Sequence, residues 1–186
     1  MRENAARITS VNVGLPQEVV WKNITVQTGI FKKPVSGPVM VNRLNLAGDR
    51  QADLTVHGGV DKAVYAYPAE HYQYWRRELP DISLPWGKFG ENLTTEGLTE
   101  DALFIGDRLR VGSAVLTVTQ PPMPCYKLGL AFGCDDIIKR FLERGRTGFY
   151  FAVLEEGEVG TESRIEILSR DPNGVAVADI SKLYRA

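Results

Sequence analysis

Cys125 stands in the run Gln120-Pro-Pro-Met-Pro-Cys-Tyr-Lys-Leu, just past an expected strand. Prolines restrict φ and supply no N–H, so this loop must leave the sheet in a fixed direction. A side chain on a rigid loop at a strand end is well placed for a site. Lys127, two residues on, would favour the thiolate, the form of cysteine that attacks electrophiles and binds metals. A buried, inert cysteine accounts for the same residues, because unbridged cysteine is among the most buried residue types. Local chemistry leaves both readings open. Cys134, in Gly133-Cys-Asp-Asp, has acids beside it and reads as structural.

A second candidate is Val56-His57-Gly58-Gly59-Val60-Asp61-Lys62. Paired glycines let a backbone approach a ligand closely, and successive N–H groups can form an anion-binding concavity. His57 and Lys62 would add donors or charge, and Asp61 could orient either. A plain turn explains the glycines equally well. Upstream, Lys32-Lys33-Pro34 sets two ammonium groups at a kink, and Arg43 and Arg50 flank Ala47-Gly48-Asp49. A phosphate would suit such positions, as would solvent. In Gly87-Lys-Phe-Gly-Glu-Asn-Leu-Thr94, Glu91 and Asn92 could face a cleft as acid/base and amide groups, or close an Asx-type turn. His71, among aromatics, reads as packing or surface.

Other chemistries are excluded by spacing and composition. The cysteines and histidines at 57, 71, 125 and 134 lack zinc-site spacing, and neither a phosphate-binding Gly-x-x-x-x-Gly-Lys run nor a Gly-x-Ser-x-Gly elbow is present. Lys and Arg total 22 against 23 Asp and Glu, which leaves no electrostatic footprint for nucleic acid or an anionic membrane. No apolar run is long enough to span a bilayer, and residues 1–14 lack a signal-peptide pattern. Two cysteines in 186 residues make a poor disulfide framework, so a cytoplasmic protein with reduced thiols is expected.

These residues need elements to position them. Runs rich in Val, Ile, Thr and aromatics, bounded by turn residues, predict strands at 7–13, 18–21, 25–28, 63–67, 109–111, 115–119, 149–154 and 164–168. Lys22-Asn23 and Gly112-Ser113 read as hairpin turns, and Glu155-Glu-Gly-Glu158 as a longer one. Apolar spacing of three and four predicts helices at 69–79, 135–144 and 175–184, the last with little left to pack against. Many short strands with few helices predict a barrel or a sandwich decorated by helices.

Seven runs bear a joint resemblance: Gly48-Asp-Arg-Gln-Ala-Asp, Val56-His-Gly-Gly-Val-Asp-Lys-Ala, Tyr67-Pro-Ala-Glu-His-Tyr-Gln-Tyr-Trp75, Phe89-Gly-Glu-Asn-Leu, Gly97-Leu-Thr-Glu, Ile105-Gly-Asp and Gln120-Pro-Pro-Met-Pro-Cys-Tyr-Lys-Leu128. In this order, over roughly residues 5 to 170, they resemble the MOSC family, the domain named after the C-terminal part of molybdenum-cofactor sulfurases. The similarity is to its YiiM-like branch, linked to resistance against hydroxylaminopurine.

The resemblance implies a mainly β fold, a β-barrel with a few peripheral helices, over residues 1–170, with a C-terminal helix over 171–186. Proteins of this branch continue into a small helical domain, which that helix would begin. The resemblance further implies a molybdenum–pterin cofactor whose metal is held by Cys125, a soft thiolate beside the pterin's own sulfurs. Lys33, Arg50, His57, Gly58, Gly59, Lys62, Asn92 and Lys127 become the expected cofactor contacts. Cys125, His57, Asp61 and Glu91 become the expected catalytic set. The implied activity is that of a molybdenum-dependent oxidoreductase reducing N-hydroxylated compounds to amines in detoxification. Since no flavin or iron–sulfur motif is visible, a separate reductase would donate electrons. Pyridoxal phosphate binding is a further family association, and a homodimer is open. Two other roles fit the same residues: sulfur transfer through a Cys125 persulfide, and non-enzymatic carriage of the cofactor.

Overall fold

Two tight turns show how local sequence sets the strands. Lys22 and Asn23 both adopt positive φ, 50° and 64°, as a two-residue hairpin needs, and join β2 (Gln17–Trp21) to β3 (Ile24–Thr28). Gly112, at φ 59°, turns β8 (Arg108–Val111) into β9 (Ala114–Gln120). The computed structural model describes residues 5–52 and 58–184. Those residues contain eight further strands: β1 (Arg7–Val13), β4 (Lys33–Val35), β5 (Val39–Val41), β6 (Val64–Pro68), β7 (Leu93–Glu96), β10 (Phe149–Glu155), β11 (Gly157–Val159) and β12 (Ile165–Ser169). Four α-helices complete them: α1 (Ala69–Glu78), α2 (Tyr126–Phe132), α3 (Ile137–Arg144) and α4 (Val177–Leu183).

Eight strands form one sheet in the order β12-β8-β9-β10-β6-β7-β1-β4. All pairs are antiparallel except β6 with β7, which α1 connects. The sheet curls until its ends meet. Ile8 N–H donates to the Ser163 carbonyl at 3.0 Å, and Ile165 N–H to that of Ala6 at 2.8 Å, so the start of β1 bonds the entry to β12. Register shifts in the β1–β7, β9–β10 and β8–β12 pairs bend the strands as closure requires.

Strand alternation divides the apolar residues between two cores. Val64, Ala66, Phe149 and Phe151 point into the barrel with Leu93, Leu109 and Leu116. Their neighbours Tyr65, Tyr67 and Tyr150 point outward and meet Tyr72 and Trp75 of α1, Leu128 and Phe132 of α2, and Ile137 and Phe141 of α3. Helices thus cover the outer face of β6 and β10, and a cleft is left at the seam.

Several elements differ from the sequence expectation. Strands β4, β5, β7 and β11 were not foreseen, nor was α2, which begins directly after Cys125. Glu155–Glu158 is no hairpin turn: the chain passes from β10 into β11, whose Gly157 pairs with Val41 of β5. The last helix is firmly packed. Val177 is fully buried in the barrel core, its N–H bonds the Leu103 carbonyl at 2.9 Å, and Ser181 meets Thr147 at 3.0 Å. The segment around Leu103, irregular and so invisible to periodicity, supplies the partner.

Gly148 shows how tightly the two cores are joined. It holds φ at 70°, and an added Cβ would lie 2.3 Å from the Ala66 carbonyl oxygen and 2.9 Å from the Tyr67 ring. Gly148→Ala should therefore push β10 from β6 and lower unfolding stability in urea by about 3 kcal/mol.

Candidate functional site

The cleft at the seam is lined by outward residues of β6 and β10, by α2 and α3, and by the loops preceding β4, β6, β7 and α2. One side is apolar, with Ile30, Tyr65, Phe89, Leu128, Phe141 and Tyr150. The other carries Lys32, Lys62, Lys127, Asp49, Gln51 and Asn92. Cys125 lines the same cleft. It is half-buried and extended (φ −121°, ψ 174°), placed by Pro122 and Pro124 before it and by the start of α2 after it.

Asp49 organises the polar side. Its carboxylate is completely buried. One oxygen accepts the Gly14 N–H at 2.9 Å and the Lys32 ammonium, and the other accepts the Asn92 amide at 2.9 Å. Asn92 is itself fixed, since its side-chain oxygen accepts the Tyr65 N–H at 3.1 Å. Lys32 is nearly buried, and burial lowers its pKa against the opposing pull of Asp49. Among the described residues the cleft lining carries three lysines and one aspartate, whereas the chain as a whole is nearly neutral at −1. Such a site suits an anion with a flat apolar body.

Tyr150 lies on the apolar side. Its ring packs on Tyr65 with centroids 5.1 Å apart. Burial first, and then the charge of Cys125, push the phenol up to about 12.

The cleft gathers some of the expected residues and leaves others out. Cys125, Gly58, Lys62, Asn92 and Lys127 line it. Lys33 does not: it is exposed on β4, and its neighbour Lys32 turns inward instead. Arg50 is exposed, with its backbone N–H on the Gly14 carbonyl at 3.2 Å, while Asp49 beside it faces in. Gly59 adopts φ 86°, ψ 176°, a conformation open essentially to glycine, and begins the 3₁₀ turn Val60–Lys62 that presents Lys62. Asp61 is exposed, and its carbonyl accepts the Thr119 hydroxyl at 2.6 Å. His57 lies outside the described residues.

Glu91 sits behind the cleft lining rather than in it. Fully buried, it accepts Tyr72 Oη at 2.5 Å, Gly87 N–H at 2.8 Å, Thr94 Oγ1 at 2.9 Å and Phe89 N–H at 3.1 Å. Burial raises its pKa, and these donors oppose the shift. Its geometry is that of a brace for the turn carrying Phe89 and Asn92. Lys32, Asp49, Tyr65, Phe141 and Tyr150 were not among the expected site residues. Only Lys32 and Asp49 lay in segments the sequence had marked, as a basic pair and within Gly48-Asp-Arg.

A curled eight-stranded barrel with a cysteine-bearing cleft under its outer helices defines the class. Residues 53–166 match the MOSC domain model, and the chain belongs to that family. It is 45% identical over 177 residues to the uncharacterized protein YflK of Bacillus subtilis, covering 95% of this chain and 80% of that one. The crystal structure of YiiM from Geobacillus stearothermophilus superposes with a TM-score of 0.79 at 34% identity, covering 96% of this chain and 83% of that one. A protein of Gibberella moniliformis named a reductase is 32% identical over 168 residues, which make up 87% of this chain but only 29% of that protein.

Asp49 offers a direct test of the site's construction. Asp49→Asn leaves the Lys32 ammonium buried without its counter-charge and should cost about 3–5 kcal/mol in urea unfolding. Combining it with Lys32→Met removes both charges and should recover more than half of that loss, a coupling that a double-mutant cycle reads directly.

Proposed function

We propose that this chain is the cofactor-binding domain of a molybdenum-dependent reductase that converts N-hydroxylated compounds to amines, with Cys125 as the metal's thiolate ligand. The observation that carries the reading is Cys125 on a proline-braced loop, lining one cleft together with aromatic rings and the ammonium groups of Lys32, Lys62 and Lys127. The donor set fits a molybdenum–pterin group. Cys125 supplies a single soft thiolate in the cleft, the kind of donor that would complete a metal held by pterin sulfurs. Lys62 and Lys127 would face the group's phosphate, Lys32 being held by Asp49, and the aromatic rings would accept its ring system.

When bound, the group supplies two-electron redox chemistry at the N–O bond. The overall change is R–NHOH + 2 e⁻ + 2 H⁺ → R–NH₂ + H₂O, with both electrons from a separate reductase. The similarity to a much longer protein named a reductase supports such chemistry. The chain's own residues do four things: Cys125 holds the metal, the lysines hold the anion, the aromatic wall excludes water, and the Asp49 network fixes the polar side. Asp61 and Glu91 are poorly disposed for proton relay, one being exposed and the other committed to four donors. The lysines also favour a bound cofactor over a Cys125 persulfide, which needs no cationic pocket.

Protein made in a host that synthesises the cofactor should contain near-stoichiometric molybdenum and pterin and, with a competent reductase, reduce an N-hydroxylaminopurine. Cys125→Ala should lose most of its molybdenum and its activity while unfolding at nearly the same temperature as cofactor-free wild type. Metal analysis of the two proteins decides the matter: a variant that keeps molybdenum and turns over normally overturns the proposal. A Cys125 persulfide without pterin, seen by mass spectrometry, would point to sulfur transfer instead.

A further inference from the structure

Four tyrosines of the outer core and its edge have well-defined hydroxyl surroundings, and three are fully occupied. Tyr65 donates to the Thr147 carbonyl at 2.7 Å, Tyr67 to that of Arg146 at 3.0 Å, and Tyr72 to Glu91 at 2.5 Å. The Tyr150 hydroxyl has no protein acceptor among the described residues, although its ring is held from every side. Its strand pairs Tyr150 with Gln120 on one flank and Tyr65 on the other. Its carbonyl accepts the Thr119 hydroxyl at 3.2 Å, and its ring rests on that of Tyr65. Phe149 and Phe151 face the barrel interior, so Tyr150 faces the cleft, which it lines together with Cys125. Partly buried and facing the cleft, the hydroxyl is left open to a ligand or to water.

We infer that the Tyr150 hydroxyl is the hydrogen-bond donor that holds the oxygen of the substrate's N–O group beside Cys125, an assignment that rests on the reduction proposed above. The cleft's other strong donors have a different task. Lys32 is bound to Asp49, and Lys62 and Lys127 stand on the cationic side, suited to an anion. Tyr150 stands on the apolar side, where an uncharged substrate would enter. A phenol carries its O–H at neutral pH and can donate it to such an oxygen. As the N–O bond breaks and the oxygen gains electron density, a fixed O–H donor stabilises that charge more than it stabilises the ground state.

The test is Tyr150→Phe in the cofactor-loaded protein, with molybdenum content and unfolding temperature measured alongside. Both should match wild type, because the change removes one oxygen and no packing ring. With reductase present, kcat for an N-hydroxylaminopurine should fall at least tenfold. Without electrons, calorimetry should show wild type binding the N-hydroxylamine more tightly than the corresponding amine, and the variant losing that preference by about fivefold. An unchanged kcat and an unchanged binding preference would refute the Tyr150 assignment while leaving the reductase reading intact. Loss of molybdenum from the variant would also refute it, by making the hydroxyl a cofactor contact. If wild type neither binds nor reduces the N-hydroxylamine, the functional reading falls and the assignment with it.

Discussion

One buried carboxylate ties the cleft together. Asp49 gathers a backbone N–H from the end of β1, an ammonium from the loop before β4 and an amide from the entry to β7. None of these is near the others in sequence, and none would be placed by its own local structure. A buried carboxylate is tolerated only when its acceptor sites are filled, so the three loops must converge wherever Asp49 is buried. Asn92 extends the constraint into the sheet through Tyr65, whose backbone N–H it accepts and whose carbonyl receives its own N–H at 2.8 Å. The polar side of the cleft is therefore an extension of the sheet's hydrogen bonding. Glu91, one residue before Asn92, does the same service for the turn behind it. Two adjacent residues face opposite ways, one into the cleft lining and one into a closed donor set.

The other side of the cleft follows from alternation. In Phe149-Tyr150-Phe151 and Val64-Tyr65-Ala66, each inward residue fills the barrel and each outward tyrosine meets the helices. A cleft at that seam has walls held from two directions, by a closed sheet on one side and by α2 and α3 on the other. Alternation gives the site its stiffness. The hydroxyls of Tyr65, Tyr67 and Tyr72 reach protein carbonyls or Glu91, and that of Tyr150, at the cleft, reaches no acceptor among the described residues.

The long strands were legible in the sequence because they are wide enough to show apolar, β-branched runs between turns, as β1, β9 and β10 do. The three-residue strands β4, β5 and β11 were not, since each exists only because a distant segment supplies its pair: Val39–Val41 has little strand character without Gly157–Val159. The site shows the same division. Cys125 could be singled out from its prolines and from ordered family motifs, but its surroundings could not. Lys32 and Lys33 are chemically identical neighbours, and only the pairing of Lys33 with Val13 decides which faces outward. Tyr150 lies between two phenylalanines, so no polarity contrast betrays its face. Glu91 reads alike whether it projects into a cleft or accepts from its own turn, because the deciding partner, Tyr72, lies 19 residues away.

Charge placement gives the final constraint on what the cleft can hold. The chain is nearly neutral overall, while among the described residues the cleft lining sets three lysines against one aspartate. Lys32 illustrates the cost: burial pulls its pKa down, and Asp49 only partly offsets this. An arrangement of this kind destabilises the empty protein relative to one whose ammonium groups lie in water. It is relieved by a bound anion, which replaces lost hydration with charge-assisted hydrogen bonds. The aromatic wall opposite offers no partner for charge and strengthens the electrostatics by lowering the local dielectric. The cleft thus combines ammonium groups, which suit an anionic group, with aromatic rings, which suit an uncharged planar body, and the Cys125 thiol lines it beside them.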